Sequence, residues 1–382
     1  MLLGPADRQN LAAFRRRLHA RPELSGEEAQ TARAVVDFLS PTNPDRVVEA
    51  LGGHGLAFVY AGAEPGPTLL FRADLDALPI QEISDAPYRS QSPGKAHLCG
   101  HDGHMTALAA LGLGFARARP KRGRAVLLFQ PAEETGAGAA AVVADPKFAE
   151  LAPDFAFAWH NMPGLPFGKA TLAAGPVNCA SRGLRATLSG KTAHASMPEY
   201  GVSPMRALAA LMPGLTELGR GGALDAGYSL VTVTHAAMGE RAFGVAPGRA
   251  EIFATLRTLT DATMAALVER AETLIRDTAR AQNLGVEIAY EDIFAHCENA
   301  PQAVERVARA LDAEGVKWDG EGFPMRGSED FGRFRAVAPS AMFLLGAGGS
   351  CPSLHNPDYD FPDDLAFLAA AVMMRIARDT LG

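Results

Sequence analysis

The sequence predicts an α/β protein: a main domain with a mainly parallel sheet flanked by helices, carrying an inserted α+β domain of ferredoxin-like order. Two observations lead there. Short apolar runs alternate with helical segments over the first half of the chain and again near its end, the pattern of an α/β sheet. Between them lies a stretch that reads β-α-β-β-α-β, a self-contained ferredoxin-like unit. At 382 residues the chain is long enough for two domains, at about 150 residues per domain. The expected division is a main domain formed by 1–176 together with 293–382, interrupted by the insertion at 177–292.

The elements follow in order. Asp7 to Leu39 reads as helical, with Leu11, Phe14 and Leu18 at spacings of three and four. Asn43 to Ala63 holds short apolar runs broken by Gly52, Gly53 and Gly55, which predicts strands and turns. Pro67 to Ala73 is a buried-strand candidate ending at Asp74-Leu-Asp76. A loop rich in Ser, Pro and Gly, Ser84 to Gly94, leads to a cluster of histidines. Met105 to Arg117 is a helix of mostly Ala, Leu and Gly, hence buried on most sides. Ala125 to Gln130 and Ala156 to His160 are further buried strands. In the insertion the expected strands are 182–188, 228–235, 250–257 and 286–290, with helices at 204–218 and 261–282. No internal repeat is visible.

Composition narrows the function. Hydrophobic residues make up 48% of the chain, enough for a sizeable core, and the net charge is −7. That charge argues against a general nucleic-acid surface, which needs a basic patch. No apolar stretch reaches the ~20 residues of a membrane-spanning helix. Met1-Leu-Leu-Gly-Pro lacks the charged and apolar regions of a signal peptide. Four widely spaced cysteines make no disulfide framework. A reducing, cytoplasmic location is the expectation.

The chemistry concentrates in His97-Leu-Cys99-Gly-His101-Asp102-Gly-His104. Three of the ten histidines and one of the four cysteines fall within eight residues. Thiolate and imidazole both coordinate borderline-soft divalent metals, and a thiolate can bridge two cations. The plain alternative for Cys99 is a small buried apolar residue. Glu133-Glu134 follows a buried strand. Either Pro131 opens a helix whose first turn is acidic, or one carboxylate binds metal while the other shuttles a proton. His160 ends a strand, and His355 lies in Ser-Leu-His-Asn-Pro-Asp; each is structural unless the cluster needs more ligands. His194 follows a strand of the insertion and reads otherwise as an ordinary loop histidine. Gly327-Ser-Glu-Asp330-Phe reads most simply as a helix N-cap.

Taken together these segments resemble the M20 metallopeptidase family, in the branch of N-acyl-amino-acid amidohydrolases that includes hippurate and auxin-conjugate hydrolases. The matching pieces are His19-Ala-Arg-Pro-Glu-Leu-Ser, Arg72-Ala-Asp-Leu-Asp-Ala-Leu-Pro-Ile, Cys99-Gly-His-Asp-Gly-His, Phe129-Gln-Pro-Ala-Glu-Glu, Gly190-Lys-Thr-Ala-His-Ala, Gly327-Ser-Glu-Asp-Phe and Leu354-His-Asn-Pro. They occur in family order along nearly the whole chain. The resemblance implies a zinc-peptidase-like catalytic domain with two divalent ions per subunit (Zn, Mn, Co or Ni) held by Cys99, His101, Glu134, His160 and His355, with Cys99 as the bridge. It implies Glu133 as general acid/base, and Asp76, Asp102 and His104 as groups supporting the ligands. It further implies that the insertion is a lid and dimerisation domain, so that a homodimer or higher homo-oligomer is expected and His194 steadies the oxyanion in the partner's site.

Two positions depart from the family pattern. Asp74 stands where other branches place a metal-binding histidine. Gly244 stands where an Asn commonly helps to hold the substrate, which leaves Arg257 as the candidate for the substrate carboxylate or, equally, a solvated strand-end charge. The expected reaction is hydrolysis of N-acyl amino acids to a carboxylate and a free amino acid. The rivals are a dipeptidase or carboxypeptidase using the same site, and an inactive metal- or ligand-binding scaffold.

Overall fold

The computed structural model describes residues 3–382; the first two residues of the N-terminal stretch considered above lie outside them. The chain forms two compact units. The first runs to Val177 and takes in Glu298–Phe323 and Asp330–Gly382; the second holds Asn178–Cys297 and Pro324–Glu329.

The first unit is built on an eight-stranded sheet. Its strands include β1 (Arg46–Leu51), β2 (Gly55–Ala61), β3 (Glu64–Asp74), β4 (Arg122–Gln130) and β5 (Phe155–Pro163). The centre is parallel: β4 pairs with β3, β3 with β5, and β5 with the strand Ser340–Gly348. On one side β2 joins β4 antiparallel and β1 joins β2. The central strands are nearly all apolar because both faces are covered. Leu69, Phe71, Leu127, Phe129, Phe157, Trp159 and Phe343 all belong to one helix-packed core. Their alternating neighbours Leu70, Val126, Leu128, Ala156, Ala158 and Met342 are equally buried but lie outside it.

Helices α1 (Pro5–His19), α2 (Ala29–Leu39) and α3 (His101–Arg117), with the helix Asp363–Leu381, supply that core. The expected single helical stretch from Asp7 to Leu39 is interrupted from Ala20 to Glu28. Pro22 cannot donate a backbone hydrogen bond, and Leu24 bridges to Ala77 beside the end of β3. Helix α3 begins four residues earlier than expected, at His101. It starts behind Gly100, whose φ of +96° and closeness to Asn161 leave no room for a side chain. Pro131 opens no helix: residues 131–137 form a turn, and the next helix is Gly138–Ala144.

The second unit contains a four-stranded antiparallel sheet. Its strands are Ala180–Ser189, Ser229–Met238, Arg249–Thr258 and Gly285–Phe294, in the spatial order second, third, first, fourth. The helices Met205–Glu217 and Asp261–Ala281 bury Leu208, Leu211, Leu215, Met264, Leu267 and Ile275 against it. Strict alternation along Arg249–Thr258 sends Ile252, Ala254 and Leu256 inward. This is the β-α-β-β-α-β arrangement of a ferredoxin-like fold.

Candidate metal centre

Four separate segments of the first unit converge on one point. Cys99 ends the loop before α3, and His101 is the first residue of that helix. His160 lies on β5, and Glu133 and Glu134 lie in the turn after β4. His355 arrives through its backbone, whose N–H donates to the carbonyl of Leu98 at 2.8 Å. Donor atoms of Cys99, His101 and His160 lie within 4.8 Å of one another, as do those of Cys99, Glu134 and His355, and of His101, Glu133 and Glu134.

The ring orientations are set by hydrogen bonds on the far nitrogens. His101 Nδ1 faces the carbonyl of Asp76 at 2.9 Å, and His160 Nδ1 faces the carbonyl of Asn161 at 2.8 Å. A carbonyl only accepts, so each Nδ1 carries a proton and each Nε2 is the ring atom turned toward the other donors. His160 Nε2 lies 3.5 Å from the Cys99 sulfur. His101 Nε2 lies 3.8 Å from Glu133 Oε2 and 3.9 Å from Glu134 Oε1, and His355 Nε2 lies 3.7 Å from Glu134 Oε1.

These residues fit a divalent cation. His101 Nε2 and Glu134 Oε1 are buried with no hydrogen-bond partner, a costly state unless another group satisfies them. Bonds of ~2.3 Å to sulfur and ~2.0 Å to nitrogen in a tetrahedral site would separate those two atoms by ~3.5 Å, the spacing seen between Cys99 and His160. The electrostatics agree. Burial pushes the Cys99 thiol well up and the Glu134 carboxyl up to about 7, so both resist ionising until positive charge arrives. Burial opposes protonation of His101, but Cys99 and Asp74 outweigh it and hold its pKa well above the ordinary value.

Asp76, Asp102 and His104, expected to support the ligands, are held by hydrogen bonds and ion pairs of their own. Asp76 Oδ2 accepts from the backbone of Glu134 at 3.0 Å and from Ser25 Oγ at 2.7 Å, while its Oδ1 lies 3.5 Å from His101 Nδ1. Asp102 is buried between Arg15 and His19, at 2.8 and 2.9 Å, and accepts from the Gly103 amide. His104 is held between Asn161 at 2.6 Å and Asp74 at 3.4 Å, and burial with nearby His101 keeps it neutral. Asp74 is engaged by Arg72 at 2.6 Å, and its Oδ2 is 4.0 Å from His101 Nε2.

Asp330 is the first residue of the short 3-10 helix Asp330–Ala336. Its carboxylate is buried, accepting from Arg72, Gln130 and the Ala139 amide, so it caps the helix Gly138–Ala144. Sequence reasoning assigns no role to Arg15, Ser25, Glu28, Arg72 or Asn161. Each acts through partners distant in the chain, and the only available signal is a charged or polar residue inside a motif bounded by apolar segments.

His194 and Arg257 belong to the second unit. His194 is exposed; its Nδ1 accepts from the Ser196 amide at 3.2 Å, which places the ring proton on Nε2. Arg257 is half-buried and donates to Ser328 Oγ at 2.8 Å and to the Arg326 carbonyl at 3.1 Å. A side chain at Gly244 would meet open space.

Thiol, imidazoles and paired carboxylates gathered beside an α/β sheet match the metallopeptidase class of hydrolases. The chain belongs to the peptidase family M20/M25/M40, whose profile matches residues 70–379. It is 31% identical to the hippurate hydrolase of Campylobacter jejuni over 95% of this chain and 94% of that one. It is 30% identical to the IAA-amino acid hydrolase ILR1-like 5 of Arabidopsis thaliana, over 96% of this chain and 86% of the relative. Among solved structures, the Bacillus subtilis YXEP protein, described as a dinuclear metal-binding peptidase of the M20 family, aligns with a TM-score of 0.82. It is 25% identical and covers 99% of both chains.

Proposed function

We propose that this protein hydrolyses the amide bond of N-acyl amino acids, releasing a carboxylate and a free amino acid, at a centre of two divalent ions. The observation that carries this reading is the convergence of Cys99, His101, Glu134, His160 and His355 beside a second, distinct carboxylate, Glu133. Similarity to a hippurate hydrolase and an IAA-amino acid hydrolase supports the substrate class.

In this reading Cys99, His101, Glu134, His160 and His355 would hold the ions. Thiolate and imidazole donors suit zinc, manganese, cobalt or nickel better than a hard ion such as magnesium. When bound, the ions polarise the scissile carbonyl and acidify the attacking water. Glu133 takes a proton from that water as its oxygen bonds to the carbonyl carbon. It returns the proton to the amide nitrogen as the carbon–nitrogen bond breaks. His194 donates Nε2–H to the oxyanion, and Arg257 receives the substrate carboxylate. Asp76 and Asp102 hold the ligand segments, and His104 supports them.

The insertion at 177–292 acts as lid and dimerisation domain in this proposal. Exposed Tyr200, Phe243 and Val245 on the second unit support a homodimer. All four cysteines are free thiols, which suits the cytoplasm. No helix among the described residues is long and apolar enough to cross a membrane.

The test is a panel of N-acetyl and N-benzoyl amino acids and dipeptides, assayed with each metal in turn. Hydrolysis of the N-acyl amino acids is expected. Glu133→Gln should retain metal and lose about 10²–10⁴-fold in turnover. Preference for dipeptides would favour a peptidase instead. No hydrolysis of any amide with metal confirmed bound would refute the enzyme reading.

A further inference from the structure

The turn 131–137, which presents Glu133 and Glu134, makes few hydrogen bonds of its own. Gly136 N–H donates to Glu133 O and Gly138 N–H to Ala132 O, at 2.8 and 3.0 Å. Ala132, immediately before Glu133, has φ +50°, a left-handed conformation that a side chain disfavours. Three buried acids from elsewhere in the first unit hold this region. Asp76 takes the Glu134 amide, Asp330 the Ala139 amide, and Glu28 the Ala132 amide at 2.9 Å.

Glu28 is the one whose presence needs explaining. It is fully buried at the N-cap position of α2, yet its side chain makes no capping bond to that helix. Its Oε1 accepts the Gly26 amide at 2.8 Å and the Ala132 amide, 104 residues away. Its Oε2 is buried and accepts nothing. Burying a carboxylate is costly, and burial does raise its pKa. Besides its local bond to the Gly26 amide, this carboxyl has one partner distant in the chain, the Ala132 amide. It ties the loop before α2 to the residue that precedes Glu133.

We propose that Glu28 is a positioning residue for Glu133: a single oxygen, Oε1, locks the left-handed Ala132 and so aims the acid/base carboxylate. The proposal rests on the reading of Glu133 as acid/base. Geometry rather than charge performs the task, because one acceptor atom makes both bonds.

The experiment compares Glu28→Gln, Glu28→Asp and Glu28→Leu in the full chain. Gln keeps an acceptor at the same reach without the charge. Asp keeps the charge and withdraws the acceptor by one methylene. Turnover of N-benzoylglycine should fall about 10–100-fold in the Asp and Leu variants, with KM within about twofold, while Gln stays near wild type. Hydrogen–deuterium exchange in residues 130–139 should rise in Asp and Leu but not in Gln. Adding Ala132→Gly to Glu28→Asp should recover some of the turnover, since glycine adopts a positive φ freely.

Wild-type turnover in Leu and Asp, or Gln as damaging as Asp, would overturn the proposal. The Asp and Gln pair carries the test if Leu fails to fold. Absence of wild-type hydrolysis would refute the role of Glu133, whereas exchange in 130–139 would still report on the Glu28 contact.

Discussion

His19 ends α1, fully buried, with Nδ1 2.9 Å from Asp102 and Nε2 3.2 Å from Glu82. Burial opposes its protonation, but these two carboxylates outweigh burial and push its pKa up to about 9 from 6.5. A group whose folded pKa exceeds its unfolded value stabilises most below the unfolded value. Its contribution is lost as pH rises through the folded value. Unfolding free energy should therefore decline between about pH 6.5 and 9 by on the order of 3 kcal/mol. Denaturant titrations across that range should show the decline in wild type and a clearly shallower one in His19→Gln. A wild-type profile without that slope would mean His19 is neutral when folded. The histidine itself is legible in the sequence motif, but its partners are not, because Glu82 and Asp102 lie 63 and 83 residues away.

Among the elements, the turn after β4 is the most tightly specified. A Cβ at Gly138 would stand 1.6 Å from the Pro131 carbonyl oxygen, so the chain can close this turn only with glycine there. Gly138→Ala should cost about 1–3 kcal/mol by overpacking and, by displacing Glu133 and Glu134, should reduce turnover more than its stability loss alone would. Thermal melts and kinetics on one preparation check both. Unchanged turnover would show that the glutamates are held independently of the turn's closure. The sequence marked this segment through adjacent carboxylates after an apolar run. It also permitted a helix from Pro131, because acids in a first turn are ordinary local chemistry. The choice fell to Asp76, Glu28 and Asp330, whose side chains take the backbone amides.

At the scale of the whole chain, the proposed ligands come from residues 99–101, 133–134, 160 and 355 of the first unit. A bound cation would tie those segments together, and binding energy becomes folding energy. Chelation should lower the melting temperature. Saturation at 100-fold over the dissociation constant corresponds to ~2.7 kcal/mol, about 5–10 °C. Scanning calorimetry with chelator, then with zinc or manganese restored, measures it. An unchanged melt on verified metal removal would place the site outside the stabilising framework.

By itself the sequence determined the strands, the buried helix α3, the alternation of the second unit's sheet and the residues able to bind metal. Those properties are local: apolar periodicity, glycine and proline at turns, and donor chemistry are written within a few residues. Only the tertiary structure decided how the donors converge, that the first helical stretch breaks at Ala20–Glu28, and that Asp330 takes the Ala139 amide of the helix Gly138–Ala144. It also decided that Arg72 engages Asp74 and that Glu28 reaches Ala132. Such contacts depend on which distant segments the fold brings together, and a buried charge shows its purpose only when its partner is in place.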